Sequence, residues 1–199
     1  MITVVSGLPR SGTSLMMQML AAGGLPPLAD GLRVSDVNNP RGYFEWEKIK
    51  QLRDDPSCIA EAEGKAVKVV SALLRNLPSG HSYHLILMSR ALEEVVASQA
   101  EMIKQLGAAG PSLNGAAMMA TFEMHLKQVA VWLDSQKNIA VCRVQHGSLL
   151  KAPREEAMRV QEFLVLPLEV EAMASQVDVS LHRQRATVPT MNSHILAPR

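Results

Sequence analysis

The feature that most constrains this chain lies at its start. Ile2-Thr-Val-Val-Ser6 is a short β-branched run that stops at Gly7; Gly7-Leu-Pro-Arg-Ser-Gly-Thr-Ser14 follows, and Thr13 to Ala22 reads as a helix. Strand, glycine turn and helix in twenty-two residues make the opening half of a parallel α/β unit, because the helix must fold back over the sheet that the strand starts. The glycine spacing is that of a phosphate-binding loop, in which backbone N–H groups converge on an anion and the following helix adds the positive end of its dipole. A plain glycine turn accounts for Gly7 and Gly12, but not for a cation, Arg10, set among the hydroxyls of Ser11, Thr13 and Ser14. Loops that bind nucleoside triphosphates carry Lys just before the last Ser or Thr. Here that position is Thr13.

The rest of the chain repeats the opening pattern. Tyr83 to Met88 predicts a buried strand followed by a helix over Ala91 to Leu106. Ala116 to Gln136 predicts a long helix, Asn138 to Val144 a third apolar strand, and Pro153 to Phe163 a helix with proline in its first turn. Ala66 to Val70 reads either as a strand or as part of one helix over Lys65 to Asn76, and periodicity does not separate the two. Residues 23 to 44 are too rich in proline and glycine for a regular element, Glu45 to Arg53 predicts a helix, and Gly107 to Gly115 is a connector. Strands alternating with helices predict a three-layer α/β/α domain with a central parallel sheet, whose ligands bind beyond the carboxyl ends of the strands.

Composition narrows the class. With 199 residues, 47% of them hydrophobic, the chain supports one core, read here as a single domain over 1–186 and a tail over 187–199. A net charge of +1 gives no field for nucleic acid or an anionic membrane, so any anion site is local. The greasy run from Leu15 to Leu28 is broken by Gln18, Gly23-Gly24 and Pro26-Pro27, too short for a span of roughly 20 apolar residues. Cys58 and Cys142 show no disulfide or zinc spacing, and the expected compartment is the cytoplasm.

A second basic station follows the Tyr83 to Met88 strand: Ser89-Arg90, with Ser98 in the next helix. Nucleotide kinases place an acidic Mg²⁺ ligand at such a rim, whereas an arginine suits a second phosphate. The alternative makes Arg90 a salt-bridge partner of Glu93 or Glu94 and Ser98 a packing residue. Gly7 to Ser14, then Arg90 and Ser98 after a buried strand, resemble the sulfotransferase family. Val144-Gln-His-Gly-Ser-Leu-Leu-Lys-Ala-Pro-Arg154, leading to Glu162-Phe-Leu164, is similar to a family segment, and Asn39-Pro-Arg-Gly-Tyr-Phe-Glu45 resembles one in bacterial members.

That resemblance implies a P-loop-like fold that binds 3′-phosphoadenosine 5′-phosphosulfate (PAPS), needs no metal and releases adenosine 3′,5′-bisphosphate (PAP). The 5′-phosphosulfate would meet Arg10, Ser11, Gly12, Thr13 and Ser14; the 3′-phosphate would meet Arg90 and Ser98. An acceptor hydroxyl or amine on a small or carbohydrate-like molecule would attack sulfur in line. Arg10 and a lysine, Lys68 ahead of Lys65, would stabilise the leaving oxygen. Family members use His or a carboxylate as general base; the segment Lys68 to Leu74 has no histidine, so the candidates are Glu45, then Asp36, then Asp30, with Glu45 equally readable as a helix first-turn residue. Arg183 and Arg185 resemble a basic loop over the nucleotide, or form a solvated tail; His125 and His146 read as packing or surface groups, with a supporting place behind the site residues as the alternative for His146. Gln145-His146-Gly147 lacks the family's usual acidic pair, and the chain is short for the family. The competing functions are a P-loop kinase and a non-catalytic nucleotide-binding relative.

Overall fold

The computed structural model describes residues 1–36, 39, 41–105, 115–178 and 180. Five parallel strands, β1 (Ile2–Gly7), β2 (Pro27–Leu28), β3 (Ala66–Val70), β4 (Tyr83–Ser89) and β5 (Ile139–Gln145), form one sheet in the order β2-β3-β1-β4-β5. Helices α1 (Thr13–Ala22), α2 (Leu92–Gln105), α3 (Gly115–Asp134), α4 (His146–Lys151), α5 (Pro153–Leu164) and α6 (Val170–Ala174) flank it. Among the described residues no helix is long and apolar enough to cross a membrane.

Side chains of the central strands alternate between two cores. Val4, Leu85 and Leu87 pack with Trp46, Ile49, Leu52, Leu74 and Val129 on one face. Val5, Ile86 and Met88 pack with Met16, Met17, Leu20, Leu149, Val160 and Met173 on the other. Successive strand residues point to opposite faces, so apolar runs such as Leu85–Met88 fill both cores at once, as a parallel sheet covered on both sides requires. The result is the α/β/α sandwich expected from the alternation of elements.

Several local expectations change. Residues 66–70 are a strand, wedged between β1 and β2, and Ser71–Asn76 continues as a 3₁₀ helix instead of joining one long helix. The loop over 23–44 contains the two-residue edge strand β2, where Pro27 is tolerated because an edge has one side without a ladder partner. Glu45 to Arg53 is not an α-helix; a 3₁₀ helix spans Glu47–Gln51. Trp46, Ile49 and Leu52 are buried at a spacing of three, which matches the three residues per turn of that helix. Gly115 begins α3 instead of ending a connector. The boundary at 186, the tail, Arg183 and Arg185 lie outside the described residues.

Candidate functional site

The first glycine of the loop is required by a close approach. A Cβ on Gly7 would lie 2.6 Å from the Met88 carbonyl oxygen of β4 and 2.5 Å from Ser11 Oγ. The loop then turns through Arg10, at φ 70°, and Gly12, at φ 99°, which precedes α1 without a side-chain cap. The first helical bond runs from Met16 N to Gly12 O, so the N–H groups of Thr13, Ser14 and Leu15 have no intrahelical acceptor. Ser11 is turned inward, its hydroxyl donating to Leu8 O at 2.7 Å, and so braces the loop. The ring of His146, buried at the start of α4, packs on the other side: a Cβ on Gly12 would meet its Cδ2 at 2.7 Å.

Pairing of Gly7 with Met88 carries the end of β4, and with it Arg90 and α2, to the loop. Arg10 Nε donates to Ser98 Oγ at 2.9 Å, and Arg90 Nη1 donates to the Arg10 carbonyl at 3.2 Å. The Arg90–Glu94 pair weighed from sequence exists, at 2.7 Å, but its side chains are only 10% and 12% exposed, which places it against the loop and not on a solvated face. Burial pulls the Arg10 guanidinium below its ordinary pKa; Tyr43 opposes that shift and the like charge of Arg90 adds to it.

Lys68 comes from β3, opposite Val5 in register. Its ammonium donates to the Tyr43 carbonyl, lies 3.4 Å from Ser14 Oγ and 3.6 Å from Glu45 Oε1. Burial pushes its pKa down to about 8, with Glu45 pulling it back and Arg33 pushing further. Lys65 precedes β3 at the opposite end of the sheet, where its carbonyl accepts from Thr3 N. Arg33 Nη1 donates to the same Glu45 oxygen at 2.8 Å, and its guanidinium lies 3.6 Å above the Tyr43 ring.

A cavity of about 650 Å³ joins these groups. Its walls include Gly12, Thr13, Ser14, Arg10, Arg90 and Ser98 at one side, Lys68, Glu45 and Arg33 at another, and Arg41, Gln176 and Asp178 at the far mouth. Arg41 ties that mouth together through the Gln176 carbonyl at 2.6 Å and Asp178 at 3.4 Å. The structure therefore brings Arg10, Gly12, Thr13, Ser14, Glu45, Lys68, Arg90 and Ser98 together. Asp36 and Asp30 are exposed and absent from the walls. The Asp36 carboxylate accepts from the Tyr43 hydroxyl at 2.8 Å. That of Asp30 accepts from Glu47 N and Leu32 N, hydrogen bonds that hold it below the usual carboxylate range. Sequence reasoning gave no part to Arg33 or to the Tyr43 side chain, and read His146 as packing or surface with a supporting place behind the site residues as the alternative; its ring stands against Gly12. His125 stands away from the walls, bonded to Ser71 Oγ at 2.8 Å.

Compared by sequence, no family model and no curated protein matches the chain. Compared by structure, it is similar to the sulfotransferase domain from the curacin biosynthetic pathway, at 15% identity and a TM-score of 0.53 over 94% of this chain and 92% of that one. It is similar to a mouse sulfotransferase solved with PAP, at 17% identity and a TM-score of 0.52 over 93% and 66% of the two chains. A retinol dehydratase in complex with androsterone and inactive cofactor PAP matches at 15% identity and a TM-score of 0.51 over 89% and 63%. The chain has a sulfotransferase-like fold.

Proposed function

We propose that the cavity at the carboxyl ends of β3, β1 and β4 binds PAPS, and that the chain moves its sulfuryl group to a hydroxyl or amine of a small-molecule or carbohydrate-like acceptor. One observation carries this reading: the open start of α1, the Arg10 guanidinium, Arg90 and Ser98 border one cavity, which supports two neighbouring anion stations. The PAP bound in two structural neighbours supports the choice of ligand.

The residues fit such a donor. A triphosphate loop relies on a lysine at the position of Thr13; here the positive charge comes from Arg10 within the loop and Lys68 beside it. The N–H groups of Thr13 and Ser14, with their hydroxyls, would hold the 5′-phosphosulfate, and Arg90 with Ser98 the 3′-phosphate. Ser98 accepts from Arg10 and retains its own O–H to donate. When bound, PAPS supplies an activated sulfuryl group and a good leaving group. Arg10 and Lys68 would keep positive charge where negative charge grows on the leaving oxygen, as donors oriented before the reaction begins. Of the three carboxylates weighed as general base, Glu45 lines the cavity, but it does so paired with Lys68 and Arg33.

Thermal-shift titration tests the reading. Stabilisation by PAP without Mg²⁺, followed by transfer of labelled sulfate from PAPS to an acceptor panel, is the expected result. Selective stabilisation by Mg²⁺–ATP rejects it in favour of a kinase, and PAP binding with no transfer across the panel favours a non-catalytic binding protein.

A further inference from the structure

Lys68 is an unusual place to keep a positive charge. Its side chain is only 9% exposed, and a charge withdrawn from water is tolerated when a partner compensates it. The partner is Glu45, whose side chain is 22% exposed and whose Oε1 stands between two cations, Lys68 Nζ at 3.6 Å and Arg33 Nη1 at 2.8 Å. Arg33 is itself held over the Tyr43 ring, and Tyr43 returns to Lys68 through its carbonyl. Among the described residues, the charged groups acting on Lys68 are Glu45 and Arg33. From α1 it meets the Ser14 hydroxyl, and the Tyr43 ring lies 5.9 Å away.

Standing between the two cations, Glu45 is placed as their common counter-ion. We infer that Glu45 is a positioning residue: clamped by Arg33, it keeps Lys68 protonated and directed at the loop, so that an ammonium and not a neutral amine meets the leaving oxygen. The catalytic consequence rests on the sulfuryl-transfer reading; the effect of Glu45 on the charge of Lys68 does not.

Burial and Arg33 both push Lys68 toward neutrality, and Glu45 opposes them. Loss of the carboxylate charge therefore lowers the Lys68 titration midpoint further, and the alkaline limb of turnover moves to lower pH. An opposite charge at this range moves a pKa by about 1–3 units.

The test uses the full chain without ligand. The pH dependence of acetic anhydride labelling at Lys68 is read by peptide mass spectrometry in the wild type, Glu45→Gln, Glu45→Ala and Glu45→Asp. We expect the midpoint to fall by about one unit or more in Glu45→Gln and Glu45→Ala, and to stay near the wild type in Glu45→Asp. The kcat profile of Glu45→Gln then shows a loss that deepens between the displaced midpoint and the wild-type one and levels off above both, at about tenfold for a displacement of one unit. An unmoved labelling midpoint in a folded Glu45→Gln overturns the inference. So does a uniform loss of about 10²–10⁴ in kcat at every pH with the limb in place, which is the behaviour of a general base. Should Glu45→Gln not fold, an unmoved midpoint in Glu45→Ala overturns it equally. If the wild type transfers no sulfuryl group to any acceptor, the functional reading falls, and labelling still decides whether Glu45 governs Lys68.

Discussion

Arg10 occupies a conformation that suits glycine, and replacing it in two ways separates the loop's strain from its chemistry. At φ 70° its Cβ crowds the following carbonyl. A residue with a Cβ in this region costs about 1–2 kcal/mol relative to a relaxed backbone. Glycine avoids that cost but loses roughly 0.5–1 kcal/mol more backbone entropy on folding. Arg10→Ala and Arg10→Gly both delete the guanidinium, its bond to Ser98 and its charge, so their difference reports the backbone alone. Arg10→Gly should be the more stable by about 0.5–1 kcal/mol, the margin between those two terms. In a chain of this size that is a difference of about 1–4 °C in Tm, readable by urea and thermal unfolding of the two variants in parallel. Turnover should fall in both by a similar factor, about 10²–10³, because each loses the same preorganised donor. Equal stability of the two, or greater stability of Arg10→Ala, would refute the claim that the loop is held against a conformational cost. Turnover retained by Arg10→Gly would refute the claim that the guanidinium is what the cost secures.

Other expectations follow from the same contacts. Gly12→Ala should weaken PAP binding and lower Tm, since its Cβ meets the His146 ring at a residue held at φ 99°; adding His146→Ala should recover part of both, a coupling that a double-mutant cycle measures. Arg90→Ala should reduce PAP affinity by about tenfold or more with a weaker dependence on salt, followed by calorimetry at two ionic strengths. Burial depresses the His125 and His84 imidazoles below their ordinary 6.5. The unfolded chain therefore takes up these protons first as pH falls, and stability is lost from about pH 6.5 downward until the folded-state values are passed. Urea midpoints between pH 7.5 and 5.5 should show that decline, and His125→Gln should make it shallower.

The sheet and the loop were legible because their signals are local. Val4-Val5 and Leu85–Met88 are apolar on consecutive positions, which a strand between two helical layers demands, and the glycines of the loop mark positions where a side chain would collide or strain the backbone. The 3₁₀ helix at Glu47–Gln51 was also encoded, in the spacing of Trp46, Ile49 and Leu52, but that pattern overlaps the i, i+3 signature of an α-helix, and no capping residue at Trp46 distinguished the two. Strand β2 carries no such signal. Two residues, one of them proline, become a strand only because Ala66 and Val67 of β3 lie alongside.

The two lysines show where local reading stops. Lys65 and Lys68 are three residues apart in a segment that reads as helix or strand. In a helix they would share a face and both could serve the loop. In a strand the rise of about 3.3 Å per residue separates them by about 10 Å along the sheet axis. Pairing with β1 then settles the assignment, because parallel strands put all carboxyl ends together: Lys68 stands opposite Val5, two residues short of the loop, while Lys65 lies beyond the amino end of the strand. The same pairing recruits Arg33 and Glu45, which no spacing links to Lys68, by bringing β3 beneath the segment that carries them. The place of the Lys68 charge in the cavity is thus fixed by sheet register. A substitution that slipped β3 by one residue against β1 would send the Lys68 side chain to the opposite face and remove it from the cavity, with the phosphate loop intact.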